Sequence, residues 1–309
     1  MKSMMKRNTF REIKKSFGRY FAILAIIALG VVFFSGLKIT QSVMVHSADV
    51  YLKDLQFYDY RLVSTLGFTE ENVEALAEKE DVRAAEGAIS AEVLYKDAGE
   101  NERVIKMHSI TEKVNKLKLI AGEMPQSADE CVVDSALFSE DAIGSKLVLS
   151  ENNTTDDLDK FAYKEYTITG LVQSPCYIQF ERGNTSIGNG SISCFAYILK
   201  DGFAVDYDTE IYIKFDEDYD IYSDEYDSYM DAKEADWEAY TKEQADIRYE
   251  KIVKDAQDEL DEKKEELEEK RAEAEAELES AKQQLTDGET EISDGKNQIA
   301  SAKTELSAK

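Results

Sequence analysis

From Phe21 to Leu37 the chain reads FAILAIIALGVVFFSGL, seventeen residues without a charge between Arg19 and Lys38. At about 1.5 Å per residue this run nearly spans a hydrocarbon core of roughly 30 Å, with Tyr20, Ile39 and snorkelling basic ends supplying the rest. The pattern predicts one transmembrane helix over residues 21–38. Ahead of it Phe10, Ile13 and Phe17 recur at helical spacing among basic residues. That predicts a short basic amphipathic helix over residues 1–20, lying on a membrane surface. Behind it Ile39 to Leu55 is expected to continue as helix.

The period then changes. Phe57 to Ser64 alternates like a strand, and Thr69 caps an acidic-start helix through about Lys79, with Val73, Leu76 and Ala77 on one face. Further strands are expected at Ile89–Tyr95, Val104–Ile110, Cys131–Val133, Lys146–Leu149, Tyr163–Val172, Ser193–Leu199 and Glu210–Phe215. Turn residues separate them, notably Gly183-Asn184 and Gly188-Asn-Gly190. Strands with an interspersed helix or two make residues 39–228 a mixed α+β domain.

From about Tyr229 the period becomes seven. Residues 230–309 lack proline and are rich in Ala, Glu, Lys and Gln, which favour helix. Val253, Leu260, Leu267 and Ala274 recur every seventh residue; Leu278, Leu285, Ile292, Ile299 and Leu306 do the same in a shifted register. Ala281, Gly288, Gly295 and Ala302 fill the alternate seam positions. These are coiled-coil heptads, predicting a stalk over residues 229–309, about 115 Å long if helical from residue 232. The seam is thin, and its two glycines each cost about 1 kcal/mol relative to alanine. It therefore calls for a partner helix. The pattern is unfinished at Lys309, which reads as truncation. A returning antiparallel helix beyond it is the first expectation, a dimer the second.

Charge sets the sidedness. Residues 1–38 hold eight basic side chains against Glu12, about +7, so of the total −27 the other 271 residues carry about −34. The positive-inside rule places the N-terminus in the cytoplasm and residues 39–309 outside, in a plasma-membrane protein. A cleaved signal peptide is the competing reading. The apolar run is long for an h-region, however, and no A-x-A-like site follows. So acidic an exterior argues against nucleic acid as a partner. Three cysteines are too few for a disulfide scaffold, and a Cys176–Cys194 bridge stays open.

Catalytic signatures are lacking. No phosphate loop is present, since Gly144-Ser-Lys146 and Gly295-Lys296 both lack the required spacing. His46 and His108 are isolated, no Cys/His cluster has metal-ligand spacing, and no Ser sits in a G-x-S-x-G elbow. The tract Asp216–Asp227 places Asp216, Asp218, Asp220 and Asp227 at calcium-loop positions 1, 3, 5 and 12. Ile221 stands where the turn needs Gly, and Asp227 is shorter than the bidentate Glu. The tract is read as a solvated acidic connector. No catalytic, cofactor-binding or metal residues are assigned, and no enzyme is expected.

Several segments nevertheless occur in a recognisable order. Arg11-Glu-Ile-Lys-Lys15 runs through Arg19 into Ile26-Ile-Ala-Leu-Gly30. Leu117-Lys-Leu-Ile-Ala-Gly-Glu-Met-Pro125, Asp129-Glu-Cys-Val-Val-Asp134, Ala142-Ile-Gly-Ser-Lys-Leu147 and Tyr166-Thr-Ile-Thr-Gly-Leu-Val172-Gln-Ser-Pro175 follow. Over roughly residues 7–200 this resembles the permease subunits of FtsX/MacB-like ABC transporters. Glu123 departs from the basic residue usual after the Gly. The resemblance implies a first membrane helix, an extracytoplasmic core domain, a separate cytoplasmic ATPase partner and a second permease copy or subunit. The coiled coil would then reach an envelope protein. A membrane-anchored coiled-coil tether and the ectodomain of a sensory receptor remain the alternatives. Independently of the resemblance, Gly122 and Pro125 are expected to shape a turn, Gly144 a tight bend, and Gly170 a bulge or close strand packing.

Overall fold

The computed structural model describes residues 2–97 and 99–307. Helix α1 spans Lys2–Lys15, and α2 runs unbroken through Phe17–Asp54, the two separated at Ser16 (φ −119°, ψ 27°). Among the described residues α2 is the one helix long and apolar enough to cross a membrane, and its apolar stretch makes no contact that would bury it. The expected span over 21–38 and its continuation past Ile39 are therefore one rod.

The chain then forms β1 (Tyr60–Phe68), α3 (Glu70–Ala77), β2 (Val82–Ala88), β3 (Ser90–Lys96), β4 (Glu102–Ser109), β5 (Lys118–Gly122), β6 (Glu130–Asp134) and β7 (Lys146–Leu149). A single turn α4 (Thr155–Leu158) precedes β8 (Glu165–Gln173), β9 (Ile192–Ile198), β10 (Asp208–Phe215) and α5 (Asp224–Ser307). The fold class is as the sequence indicates: an N-terminal apolar helix, a mixed α+β domain and a long C-terminal helix. Compact contacts divide the chain after Trp237, so the first turns of α5 belong to the α+β unit.

Two sheets build that unit. The smaller has the antiparallel order β1-β10-β2. The larger runs β5-β8-β6-β9-β4-β3-β7, and β7 pairs again with β8, so six strands close into a ring with β5 outside it. Pairs β4–β9 and β6–β8 are parallel. Side chains alternate across these strands. Val93, Ile105, Met107, Cys131, Val133, Tyr166, Ile168, Ala196 and Ile198 fill the ring's core. The intervening Val132, Val172, Phe195 and Tyr197 form a second cluster with Ile110, Leu117, Met124 and Tyr177. Each such apolar side chain withdrawn from water stabilises by about 1.5–3 kcal/mol.

Gly170 shows why its motif needs glycine. A Cβ there would lie 2.7 Å from the Glu123 carbonyl and 2.8 Å from that of Ala121, because β5 presses onto β8 at this point. Gly122 faces it with φ +78°, so the turn after β5 has no room for a side chain either.

The structure departs from the sequence reading in definite places. The first strand starts at Tyr60, not Phe57, because Gln56 and Phe57 finish the cap of α2. Strand β2, Val-Arg-Ala-Ala-Glu-Gly-Ala, is too rich in poor strand formers to read as one, and tertiary pairing with β10 imposes it. Strand β5 lies in a segment read only as approach to a turn. Helix α5 starts at Asp224, five residues ahead of Tyr229. Thr69 does cap α3: its N–H donates to Asn72 Oδ1 at 3.0 Å. The three cysteines are free, and Cys194 Sγ lies 3.4 Å from the Tyr95 hydroxyl instead of bridging Cys176. Burial pushes the Cys176 thiol up to about 11 and that of Cys194 to about 12, which keeps both protonated.

Candidate functional site

The most constrained place in the α+β unit is the end of α2. Its last turn closes with paired bonds, Gln56 N–H to Lys53 O (3.0 Å) and Phe57 N–H to Leu52 O (2.9 Å), around Gln56 at φ 52°. That is a Schellman cap with glutamine where glycine is commonest. The orphan carbonyls are used as well. Asn115 N–H donates to Gln56 O (2.9 Å), Lys116 N–H to Leu55 O (2.8 Å), and Tyr58 N–H to Asn115 Oδ1 (3.1 Å). The loop holding Asn115 is itself fixed, because Glu86 of β2 accepts from the backbone N–H groups of Glu112, Lys113 and Val114 at 2.8, 2.8 and 3.0 Å. The helix is thus bonded into the domain through its backbone.

The side of α2 makes a second attachment. Lys53 Nζ bridges Asp49 (3.0 Å) and Asp220 (2.6 Å), and Asp49 accepts from the Ile221 N–H at 2.9 Å. Asp49 is 7% exposed, so this is no floating surface pair. It joins α2 to the acidic tract, residues 167 apart in sequence.

That tract is pinned along its length. Arg83 pairs with Asp218 at 3.2 Å and donates to the Asp216 carbonyl. Asp59 binds Lys214 Nζ (3.0 Å) and the Phe215 N–H (2.9 Å), with the Tyr226 hydroxyl at 3.4 Å. Lys233 of α5 bonds Asp81. Burial raises the affinity of that carboxyl for its proton, but the Lys233 bond, a backbone hydrogen bond and the Lys233 and Lys79 charges together outweigh it and hold Asp81 below its ordinary range. Trp237 then seals the contact, 4% exposed, with its ring 5.4 Å from Phe215 and 5.8 Å from Tyr60. The Lys79 ammonium sits 5.4 Å from the Trp237 ring centre.

The acids of the connector are solvated as expected, with the Asp216, Asp218 and Asp220 side chains 60%, 56% and 79% exposed, but the connector is also bonded to the domain. Asp216, Asp218 and Asp220 face basic partners, and among the described residues no three metal-ligating side chains gather. Lys53 and Asp220 lie too far apart in sequence for any local pattern to connect them. A local signal did exist for Trp237. Tyr226, Tyr229, Lys233 and Trp237 recur at helical spacing out of phase with the Val253 heptads, marking a face turned to a different surface.

A cavity of about 310 Å³ opens beside α2, lined by Tyr51, Asp134, Ser174, Tyr177, Phe180 and Arg182 among others. Its one strong charge pair is internal. Arg182 binds Asp134 through Nε (2.7 Å) and Nη2 (3.1 Å), donates Nη1 to the Gln179 carbonyl, and lies 5.5 Å from the Phe195 ring. The arrangement ties the loop after β8 to β6; it is not a charge awaiting a ligand. His108, the one buried histidine, bonds the Tyr177 hydroxyl at 2.6 Å and stacks on Tyr197 at 5.0 Å.

No protein-family model matches the sequence, and no curated protein matches it. Solved structures share its likeness faintly. One is the extracellular domain of the noncanonic ABC-type transporter YknZ from Gram-positive bacteria, 11% identical with a TM-score of 0.32, covering 50% of this chain and 76% of that one. Another is the periplasmic region of MacB from Actinobacillus actinomycetemcomitans, 12% identical with a TM-score of 0.32, covering 55% of this chain and 72% of that one.

Proposed function

We propose that this chain belongs to the permease subunit of an ABC transporter and forms its first membrane helix and output arm. In this reading a separate cytoplasmic ATPase hydrolyses ATP, a second permease copy or subunit completes the membrane unit, and residues 39–309 act outside the membrane. The ordered segments from Arg11 to Pro175 support the family, and the attachment of α2 to the domain carries the mechanism. A single helix passes from the apolar span to Asp54 without a break, and its end is fixed by backbone bonds to Asn115 and Lys116. A tilt or shift of α2 would move the small sheet and the start of α5 with it, since a joint bonded at both ends cannot absorb the motion. A flexible linker would have absorbed it.

A membrane-anchored tether is the second reading, favoured by the exposed apolar seam of α5, where Leu267 is 67% and Leu285 68% exposed. Isolation of the tagged full-length protein from its native membrane separates the two. The permease reading predicts a nucleotide-binding ATPase in stoichiometric amount, retained by a K53M variant. Repeated isolation without any ATPase contradicts it and leaves the tether.

A further inference from the structure

The seam of α5 is written for a partner, and its own sequence supplies one. The step from Ala274 to Leu278 is four residues, so one heptad frame runs from Val253 to Leu306 without a break. What changes is which seam row carries bulk. Before the step, Val253, Leu260 and Leu267 occupy one row while Gln257, Lys264 and Arg271 hold the other. After it, Leu278, Leu285, Ile292, Ile299 and Leu306 take that other row, and Ala281, Gly288, Gly295 and Ala302 fill the first. The large residues are exposed, from Val253 at 49% to Leu306 at 83%, and a Cβ on Gly288 or Gly295 would meet nothing within 4 Å.

We infer that this seam pairs with the same seam of a second copy, antiparallel and centred between Glu279 and Ser280. Antiparallel helices place one row against the other. In this alignment Val253, Leu260 and Leu267 meet Leu306, Ile299 and Ile292 of the second copy. Between those layers Gln257, Lys264 and Arg271 lie opposite Ala302, Gly295 and Gly288, where a single methyl or no side chain at all leaves room for a long one to reach the rim. Bulk meets bulk, and length meets space. Flanking charges contribute Asp261 to Lys296, Lys270 to Glu291 and Glu275 to Lys282, against like pairs at Lys254/Lys303 and Glu268/Glu289.

Parallel pairing satisfies more of the flanks, joining Lys263 to Glu268, Lys270 to Glu275 and Glu277 to Lys282. Its seam fails, because it sets Lys264 on Lys264, Arg271 on Arg271 and glycine on glycine. Like charges would then sit in the interface beside two empty layers. The seam decides for the antiparallel alignment.

Cysteine cross-linking in the full-length membrane protein tests it, with L260C, I299C and the double variant L260C/I299C treated with a mild oxidant. Facing seam positions lie within disulfide reach. The double variant should run at twice the monomer mass, and each single variant should stay monomeric. Dimers from either single variant would establish the parallel form and overturn the inference. Monomer in all three would also overturn it, assigning the seam to another helix. Charge reversal reads the same alignment independently: K282E in the double variant should lose cross-linked product, and adding E275K should restore it. Restoration by E277K instead would contradict the alignment.

Discussion

Replacing Trp237 by alanine is expected to destabilise the α+β domain by about 3–5 kcal/mol, the range for emptying a buried Trp or Phe site. The ring is 4% exposed and lies against Tyr60 of β1 and Phe215 of β10, so its loss opens a cavity between the small sheet and α5. It also removes the face over which Lys79 sits. The effect should be regional. Hydrogen exchange of the full-length protein in detergent should accelerate in β1, β10 and the first turns of α5. V253A, at a residue 49% exposed, should change exchange in β1 and β10 hardly at all. Equal effects of the two variants would show that residues up to Trp237 are stalk, as the period of seven suggests, and not domain.

A second large effect is expected from pH. His108 is buried between Tyr177 and Tyr197, and its pKa is pushed down to about 3. Burial is the main cause; the Lys106 and Arg61 charges add to it, while Glu210 opposes. Burial also holds the Tyr177 phenol protonated far above its ordinary range, so a neutral hydroxyl shares the 2.6 Å hydrogen bond with Nε2 of an uncharged imidazole. In the unfolded chain the same histidine titrates near 6.5. The folded state binds the proton more weakly, so this contribution to stability is complete above about pH 6.5 and is lost as pH falls toward 3. The slope is about 1.4 kcal/mol per pH unit, hence roughly 2 kcal/mol between pH 6.5 and pH 5. Urea unfolding of wild type and H108Q across that interval isolates it from the carboxylates. The wild-type curve should fall more steeply by this amount, and parallel curves would refute the buried neutral histidine.

Much of this architecture is legible in the sequence because its causes are local. Seventeen uncharged residues announce an apolar helix. Thr69 announces the start of α3, and the recurrence from Val253 to Leu306 announces a long helix. Gly122 marks a turn and Gly170 a bulge or close strand packing even before the strands are known. What stays hidden depends on distant partners. Strand β2 has no strand composition of its own and exists because β10 pairs with it. Lys53 looks like any helix-end lysine until Asp220 arrives beside it. The acidic tract reads as unbonded because the partners of its acids, Arg83 and Lys53, lie far away in sequence. The attachment of α2 is nearly all of this second kind, which is why pattern alone shows the rod and the domain but not the joint.

The joint matters only if α2 crosses the bilayer with α1 inside and the domain outside. Cysteines introduced as N8C in α1 and S301C in α5 report this directly when intact cells are exposed to a membrane-impermeant maleimide. Labelling of S301C on intact cells, with N8C labelled only after lysis, is the predicted result. Labelling of N8C on intact cells, or of S301C only after lysis, would contradict it.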